Sequence, residues 1–381
     1  MRILYGVVGE GMGHATRSRV VLEHLLAAGH DIHVVVSGRA HDLFEKIFAG
    51  RPGMVVEEIE GLSLEYADNR MRLGDSIARN LGHAPMAIAH NVESYAKFKF
   101  AGYKAEAVVS DFESWAYFYG INNKLPVISI DNMQVINRCA HDADVTDGGA
   151  QAFQIAKAAV KVKLPGAYHY LVSSFFFPPG RKPRTTLVPP ILRPEILAAK
   201  REPGGHVLVY QTSGNNPGLV EVLKTLPCMF RVYGMGREGV EGNLAFCPFS
   251  QDGFVEDLRT ARAVIAGGGY SLMSESVHLG VPMLSVPLVG QYEQELNARY
   301  LAKLGYGAWA RELDAGVIGR FLDDLPRLDA ALTSYPRQDN QVLFDCLDEL
   351  LDCAGGKVPR PDRLQAKSMG SYDPAAGHGE E

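Results

Sequence analysis

One histidine, His14, comes directly after a turn that contains three glycines, Gly9, Gly11 and Gly13. A glycine-rich turn between a strand and a helix leaves backbone N–H groups bare at the helix N-terminus, where negative charge is favoured. An imidazole titrates near neutral pH and can accept a proton from a hydroxyl group. The segment indicates a ligand site with a candidate general base, and the alternative is a loop histidine that only caps the helix.

The same turn does not fit the common nucleotide-binding fingerprints. A G-x-G-x-x-G/A motif that starts at Gly9 needs glycine or alanine at position 14, where the chain has His14. The phosphate-binding pattern G-x-x-x-x-G-K-[ST] does not occur in the sequence. An NAD-dependent oxidoreductase and P-loop chemistry are therefore disfavoured.

A carboxylate, Asp111, follows the apolar run Ala107–Ser110. Open α/β sheets bind ligands at the carboxyl ends of their strands, which is where this side chain would lie. There it could hold the imidazole of His14 in one tautomer and stabilise the cation. The simpler interpretation is an N-cap for the next helix, because Asp is a favoured capping residue. The two roles are compatible.

Three consecutive glycines, Gly267–Gly269, separate another predicted strand from a helix. Their N–H groups would suit a diphosphate. Glu275 lies one to two turns into that helix and could accept hydrogen bonds from two ribose hydroxyls. Glu293 and Gln294 open the next predicted helix and could hold sugar hydroxyls. The alternative roles are ordinary charge in the first half of a helix for Glu275 and a solvated helix start for the other two.

The elements that carry these residues alternate between strand and helix in both halves of the chain. Continuous apolar runs are typical of parallel strands covered on both faces, so we expect an α/β fold with two doubly wound halves. The predicted strands are Ile3–Val8, Ile32–Val36, Met54–Val56, Ala107–Ser110, Val127–Ile130, Tyr170–Ser174, His206–Gln211, Phe230–Tyr233, Leu244–Cys247, Ala263–Ala266 and Met283–Val286.

Prolines concentrate in residues 178–203, and this stretch is interpreted as a connector between domains. We predict an N-terminal unit over residues 1–190, a C-terminal unit over 191–354 and a disordered tail over 355–381. The aromatic run Phe175–Phe177, beside the basic connector, could contact a lipid headgroup. A role in the strand core is favoured.

The composition excludes several classes of partner. The length of 381 residues predicts two domains. The net charge of −6 disfavours nucleic acid as a partner. Five cysteines without a C-x-x-C pair predict a reducing, cytoplasmic location. No apolar run approaches the roughly 18 residues of a spanning helix. Membrane contact is therefore expected to be at most peripheral, at the inner face.

Three segments together resemble the donor-binding signature of GT-B glycosyltransferases. They are Gly-Gly-Gly-Tyr-Ser-Leu-Met-Ser-Glu-Ser from Gly267, Gly-Val-Pro-Met from Gly280 and Glu-Gln-x-x-Asn-Ala from Glu293. The likeness is to family 1 UDP-sugar transferases and to the bacterial enzyme that adds N-acetylglucosamine to the lipid-linked peptidoglycan precursor. Gly-Glu-Gly-Met-Gly-His-Ala-Thr-Arg-Ser, from Gly9, is similar to the acceptor-side loop of a mostly uncharacterised bacterial and archaeal subgroup.

The resemblance implies a GT-B fold, with two Rossmann-like doubly wound parallel-sheet domains facing a cleft, and a role for each matched residue. His14 would be the general base and Asp111 its orienting partner, as the segment Val-Val-Ser-Asp-Phe also resembles the family 1 segment that carries that aspartate. The implied donor-binding residues are Gly267, Gly268, Gly269, Tyr270 and Ser271 for the diphosphate, Glu275 for the ribose, Glu293 and Gln294 for the sugar, Thr212, Ser213 and Gly214 on the other side of the phosphates, and Phe249, with Phe254 as its rival, for the uracil. The acceptor-side loop comprises Gly9, Gly11, Gly13 and Arg17.

The implied activity is an inverting transfer of a sugar from a nucleotide-diphosphate donor, a UDP-sugar, to a small-molecule or lipid hydroxyl, with no metal or cofactor. Two departures stand out. Gly267 occupies the position where relatives carry a histidine or an arginine, and Glu293 replaces a common aspartate. The alternatives are a nucleotide-sugar 2-epimerase of the same fold, which would consume the donor alone, and a non-catalytic nucleotide-sugar-binding protein.

Overall fold

The structure, a computed structural model, describes residues 1–9, 11–61, 66–67, 70–71, 89–96, 98, 102–146, 149–211, 217–248, 250–356 and 364. Four residues of the predicted donor site, Thr212, Ser213, Gly214 and Phe249, lie outside the described residues. Almost all of the predicted tail lies outside them as well.

Strands and helices alternate along most of the chain. The strands are β1 (Arg2–Val7), β2 (Asp31–Val36), β3 (Met54–Glu58), β4 (Tyr66–Ala67), β5 (Arg70–Met71), β6 (Ala107–Asp111), β7 (Val127–Asp131), β8 (His169–Ser173), β9 (Thr185–Val188), β10 (His206–Tyr210), β11 (Met229–Tyr233), β12 (Gly239–Glu241), β13 (Leu244–Cys247), β14 (Ala263–Ala266), β15 (Met283–Ser285) and β16 (Gly307–Trp309). The helices are α1 (Met12–Ala27), α2 (Arg39–Phe48), α3 (89–96), α4 (Ser114–Asn122), α5 (Gln134–Arg138), α6 (Ala143–Thr146), α7 (Ala150–Lys163), α8 (Pro194–Ala198), α9 (Pro217–Lys224), α10 (Gln251–Thr260), α11 (Tyr270–Leu279), α12 (Tyr292–Lys303), α13 (Ala315–Asp323), α14 (Leu325–Thr333) and α15 (Gln341–Ala354).

Two seven-stranded sheets form the two halves. The first has the order β3-β2-β1-β6-β7-β8-β9 and is parallel throughout. The second has the order β12-β13-β11-β10-β14-β15-β16, with only the edge strand β12 antiparallel. The strand order reverses between β1 and β6 and between β10 and β14. Ligand crevices of open α/β sheets form at such reversal points, and the two predicted glycine loops follow β1 and β14.

Every predicted strand is present, with its ends within two residues of the prediction. The apolar runs are buried because helices cover both faces, and every residue of β6, β7 and β8 is buried. The sequence reasoning missed β9, which lies inside the proline-rich connector and pairs with β8. It also missed the short edge strands β12 and β16 and the antiparallel pair formed by β4 and β5, each of two residues.

The last helix crosses back to the first half of the molecule. The buried face of α15, including Leu343, Leu347 and Leu350, joins the core formed by Ile3 and Tyr5 of β1. Each fully buried leucine contributes about 1.5–3 kcal/mol to stability, so this helix stabilises the N-terminal sheet. The sequence-based division assigns residues 341–354 to the C-terminal unit, whereas α15 packs on the N-terminal sheet. The periodicity of a helix does not reveal which sheet the helix covers.

The two halves are packed together beside the cleft by aromatic side chains. Phe176, which follows β8, stacks on Tyr300 of α12 with ring centroids 3.9 Å apart. Phe175 and Phe176 are both fully buried, as the strand-core interpretation requires. No helix in the described part of the chain is long and apolar enough to span a membrane.

Candidate active site

The structure brings the predicted histidine and aspartate into direct contact. Asp111 is the last residue of β6, and His14 lies in the first turn of α1, which follows the neighbouring strand β1. His14 Nδ1 lies 2.8 Å from Asp111 Oδ1. The turn before α1 is tight, and Gly11 takes a φ of 83°, which favours glycine. Asp111 does not cap the helix after it, because Glu113 is the N-cap of α4.

A buried arginine completes this cluster. The Nε of Arg17 donates to Asp111 Oδ2 at 2.8 Å, and its Nη2 donates to the other oxygen. The Ser18 hydroxyl also donates to Oδ2, at 2.8 Å. Burial alone would raise the pKa of Asp111, but the charges of Arg17 and His14 hold it well below its usual range. Asp111 is therefore ionised at neutral pH.

The imidazole of His14 is held in its neutral form. Burial and the charge of Arg17 lower its pKa, while Asp111 opposes the shift only in part. Its side chain is 18% exposed, so a ligand in the cleft can reach it. A neutral imidazole has one nitrogen with a free lone pair. The pair is therefore chemically able to accept a proton from a bound hydroxyl group at neutral pH.

Hydrogen bonds continue from this cluster into the other half of the molecule. Arg17 Nη1 donates to Asn132 Oδ1 at 2.6 Å, and Asn132 Nδ2 donates to Glu293 Oε1 at 2.7 Å. Asn132 directly follows β7, whereas Glu293 lies in the first turn of α12. Asn297 Nδ2, one turn further along α12, donates to the same Glu293 oxygen at 2.8 Å. The predicted base and the predicted sugar-binding carboxylate thus belong to one network.

The glycine loop on the predicted donor side is held by the predicted sugar-binding glutamine. Gln294 Oε1 accepts from the N–H of Gly268 and from the N–H of Leu288, each at 3.1 Å. A Cβ at Gly268 would lie 2.5 Å from the Gln294 carbonyl oxygen, so only glycine fits. The Gly268 N–H is consequently occupied. Gly267 and Gly269 flank it, and Gly269 is the N-cap of α11 without a side-chain hydrogen bond to the helix.

The N-termini of α1 and α11 approach each other across the cleft. The Ser271 hydroxyl donates to the Gly13 carbonyl at 3.4 Å, and a Cβ at position 13 would lie 2.7 Å from that hydroxyl oxygen. Tyr270 is turned toward the first sheet, where its hydroxyl lies 2.8 Å from Ser173 Oγ. Burial raises the pKa of Tyr270 to about 12. The two helix N-termini, which favour negative charge, therefore face a common region.

Glu275, the predicted ribose ligand, forms a buried ion pair. Arg193 donates from Nε and Nη2 to the two carboxylate oxygens at 2.7 and 2.9 Å. Arg193 lies just before α8, in the connector between the two sheets. Burial raises the pKa of Glu275, and the charge of Arg193 opposes that shift. Each oxygen still has a lone pair that a hydroxyl could use.

Other predicted residues take more ordinary positions. Gly9 follows β1, and a Cβ there would lie 2.2 Å from the Ser37 carbonyl oxygen. Phe254, the rival for the uracil contact, is buried and packs edge-on against Tyr210 and Tyr233. It is a core residue with no free face for a base. Among the described residues, no three His, Cys, Asp or Glu side chains cluster as metal ligands would.

The sequence reasoning gave no role to Asn132 and Asn297 of this network, or to Arg193, the partner of Glu275. Asn132 carried a usable signal, because it follows a buried strand at the same sheet edge as Asp111. Asn297 stood inside the matched segment at the start of α12 but received no role. Arg193 had no local signal, since an arginine in a proline-rich stretch is ordinarily a solvated connector residue.

The two Rossmann-like domains and the site between them define the GT-B fold of glycosyltransferases. The glycotransferase of kitacinnamycin shares the fold with a TM-score of 0.66 at 16% identity, covering 91% of this chain and 98% of its own. A UDP-glucosyltransferase from Polygonum tinctorium shares it with a TM-score of 0.64 at 13% identity, covering 93% and 98%.

The chain belongs to glycosyl transferase family 1, whose family model matches residues 1–326. An uncharacterized glycosyltransferase of Methanosarcina mazei is 26% identical over 343 residues, which are 81% of this chain and 85% of that protein. The protein is therefore a glycosyltransferase, an enzyme that moves a sugar from a donor to an acceptor.

Proposed function

We propose that the enzyme transfers a sugar from a UDP-sugar to a hydroxyl acceptor with inversion, and that His14 is the general base. The observation that carries this proposal is the contact of 2.8 Å between His14 and Asp111. This pair lies directly beside the N-terminus of α11, as the Ser271–Gly13 hydrogen bond demonstrates. A base and an anion-binding helix end on opposite sides of one cleft suit a reaction in which a hydroxyl is deprotonated and a diphosphate departs.

In the proposed reaction the lone pair of His14 Nε2 accepts the acceptor proton. The Nδ1–H donates to Asp111, whose negative charge stabilises the imidazolium that forms. The acceptor oxygen attacks the anomeric carbon from the face opposite the diphosphate, and the bond to the leaving phosphate breaks. The configuration at the anomeric carbon is therefore inverted.

The leaving diphosphate gains negative charge as its bond to the sugar breaks. The N-terminus of α11 has no side-chain cap, so its first N–H groups are available to that charge. Because the Gly268 N–H is held by Gln294, we assign the phosphate contacts to the N–H groups that follow Gly269. We propose that this stabilisation operates without a metal ion or cofactor.

We assign the hydrogen bonds to the donor's hydroxyl groups to two carboxylates of the C-terminal half. Glu275 would accept hydrogen bonds from the ribose, and Glu293 from the sugar. All the hydrogen bonds that Glu293 receives from described residues end on Oε1, which leaves Oε2 for a sugar hydroxyl. Gln294 supports the loop through its side chain, so we propose that its part in sugar binding is indirect. UDP is favoured as the nucleotide because one protein of the same fold is the UDP-glucosyltransferase of Polygonum tinctorium. Two others were solved in complex with UDP-2fluoro-glucose and with UDP.

The acceptor is proposed to be a small-molecule or lipid hydroxyl. Met12, at the entrance to α1, is 40% exposed and lies two positions before the base. The acceptor-side loop therefore presents an apolar side chain to the solvent, which favours an acceptor with an apolar face. We propose a cytoplasmic enzyme with at most peripheral membrane contact, in agreement with a sequence whose five cysteines form no C-x-x-C pair.

A donor screen followed by transfer assays tests this proposal. Thermal-shift measurements with UDP, dTDP and their hexose derivatives should give the largest stabilisation with a UDP-hexose. That donor is then incubated with and without acceptor mixtures of phenols, polyols and extracted lipids. Acceptor-dependent release of UDP supports the proposal. Conversion of the donor without any acceptor would instead identify a 2-epimerase or hydrolase.

A further inference from the structure

A continuous series of hydrogen bonds joins the donor-sugar side of the cleft to the base. Glu293 accepts from Asn132 at 2.7 Å, and Asn132 accepts from Arg17 at 2.6 Å. Arg17 in turn contacts both Asp111 and His14. Each link is between side chains. Within the series, Asn132 bonds Arg17 of the N-terminal half of the molecule and Glu293 of the C-terminal half. The hydrogen-bonded path from Glu293 to the imidazole therefore runs through that amide and the guanidinium.

Two groups compete for the same nitrogen of His14. Asp111 Oδ1 lies 2.8 Å from Nδ1, and Arg17 Nη2 lies 2.6 Å from it. The carboxylate requires a hydrogen on Nδ1, whereas the guanidinium N–H requires a lone pair there. Neutral imidazole satisfies one of them at a time. Only with the hydrogen on Nδ1 does Nε2 keep the lone pair that accepts a proton.

We propose that Asn132 is a positioning residue that couples the occupancy of the sugar site at Glu293 to the protonation of His14, through Arg17. This inference rests on the proposed function, because it takes Glu293 as the sugar ligand and His14 as the base. A sugar hydroxyl that donates to Glu293 changes how strongly this carboxylate holds the Asn132 amide. The hydrogen bond from Arg17 to Asn132 then changes in strength. This alters the competition between Arg17 and Asp111 for Nδ1 of His14.

Other charges near the network must be separated from this effect. On the side of His14 these are Arg17 of the same helix, Asp111 of β6 and Lys163 at the end of α7. Arg17 also faces Asp131, whose pKa burial raises to about 6, and Tyr270. Asp131 titrates in the same range as histidine. The test therefore compares each variant with its own His14→Ala counterpart, in which only the histidine is missing.

The test is a thermodynamic cycle on donor binding, which does not depend on turnover. The dissociation constant of UDP-glucose, or of the UDP-hexose that the screen ranks higher, is measured by calorimetry at pH 8 and at a second pH below the pKa of His14. Burial and Arg17 lower that pKa, and an NMR titration of the imidazole locates it. Binding and protonation affect each other reciprocally. The change in Kd between the two pH values should thus differ between the wild type and His14→Ala, by about fivefold or more if the coupling is of the usual size for linked sites. The ionisation of the ligand is identical in both and cancels.

The decisive comparison removes the Asn132 amide that links Glu293 to Arg17. In the Asn132→Ala background, adding His14→Ala should change the pH dependence of Kd by less than about twofold, the level expected of sites without coupling. Asn297→Ala is the matched control, because Asn297 donates to the same Glu293 oxygen without touching Arg17. It should weaken sugar binding but keep the fivefold difference. Asn132→Ser, whose side chain is too short to span both partners, replaces the alanine variant if that variant does not fold.

Two results would overturn the inference. A wild type whose pH dependence matches that of His14→Ala would show that the sugar site and the base are independent. An Asn132→Ala variant that keeps the full difference would show that the coupling takes another path. If neither the wild type nor any variant binds UDP or a UDP-hexose, the proposed donor site is overturned, and the coupling through Asn132 is overturned with it.

Discussion

Removing Arg193 should destabilise the fold far more than removing a surface arginine. Its side chain and that of Glu275 are 9% and 8% exposed, and two hydrogen bonds of 2.7 and 2.9 Å join them. Taking away one partner leaves the other charge buried without a counter-ion, which costs about 3–5 kcal/mol. Arg327 offers a matched control, because it pairs with Asp324 at 2.5 Å but is 64% exposed. An exposed pair contributes only about 0–1 kcal/mol.

Urea unfolding at pH 7 measures both variants. Arg193→Ala should lower the free energy of unfolding by several kcal/mol more than Arg327→Ala does. The double variant Arg193→Met, Glu275→Leu should recover most of the loss, because a well-packed apolar pair often replaces a buried ion pair at little cost. Equal losses for Arg193→Ala and Arg327→Ala would refute the reasoning.

The same double variant separates stability from binding. If Glu275 also accepts hydrogen bonds from the ribose, the refolded double variant should bind UDP about 10–100-fold more weakly. That factor corresponds to the roughly 1.5–3 kcal/mol of a hydrogen bond to a charged group. Calorimetry that gives an unchanged UDP affinity would leave Glu275 with its structural pairing alone.

Three further predictions concern the cluster around the proposed base. Replacing Arg17 with Gln removes a charge that lowers the pKa of His14, so the acidic limb of kcat/KM against pH should move to higher pH; an unmoved limb would contradict the assignment. The depressed pKa of Asp111 adds stability that is fully present above its unfolded pKa of about 3.9 and lost as pH falls through the folded value. Urea unfolding between pH 2 and pH 5 should thus show a steeper acid loss for the wild type than for Asp111→Asn. Gly13→Val should push α1 away from Ser271, because a Cβ at position 13 would lie 2.7 Å from the Ser271 hydroxyl oxygen. This variant should have a lower kcat and an unchanged UDP affinity. Wild-type kinetics would show that the close approach of α1 and α11 is unimportant for turnover.

Much of the site could be predicted because parallel sheets place ligands at a known edge. His14 and Asp111 each follow a buried strand, β1 and β6, and these strands are neighbours in the sheet. The same rule applied to β7 would have added Asn132. Arg17 stands three positions after His14 and therefore lies on the same face of α1. Its family likeness marked it as part of the acceptor-side loop, but nothing local revealed that it would be buried against Asp111.

The remaining features depend on long-range packing that a local pattern does not encode. Strand β9 lies among prolines, which ordinarily interrupt strands, and it forms because it is an edge strand beside β8. The helix α15 has a clear apolar face, yet both sheets could have accepted it. The pair of Arg193 and Glu275 joins residues 82 positions apart. Its formation depends on how the connector passes over α11.

The most direct test of the central claim is the transfer rate of His14→Ala, measured with a UDP-hexose and its acceptor alongside the donor's dissociation constant. General-base catalysis contributes about 10²–10⁴-fold, so we expect a loss of that order in turnover. We also expect a donor affinity within about twofold of the wild type at pH 8, where His14 is neutral. Near-normal turnover in His14→Ala would contradict the assignment of the base and, with it, the proposed mechanism.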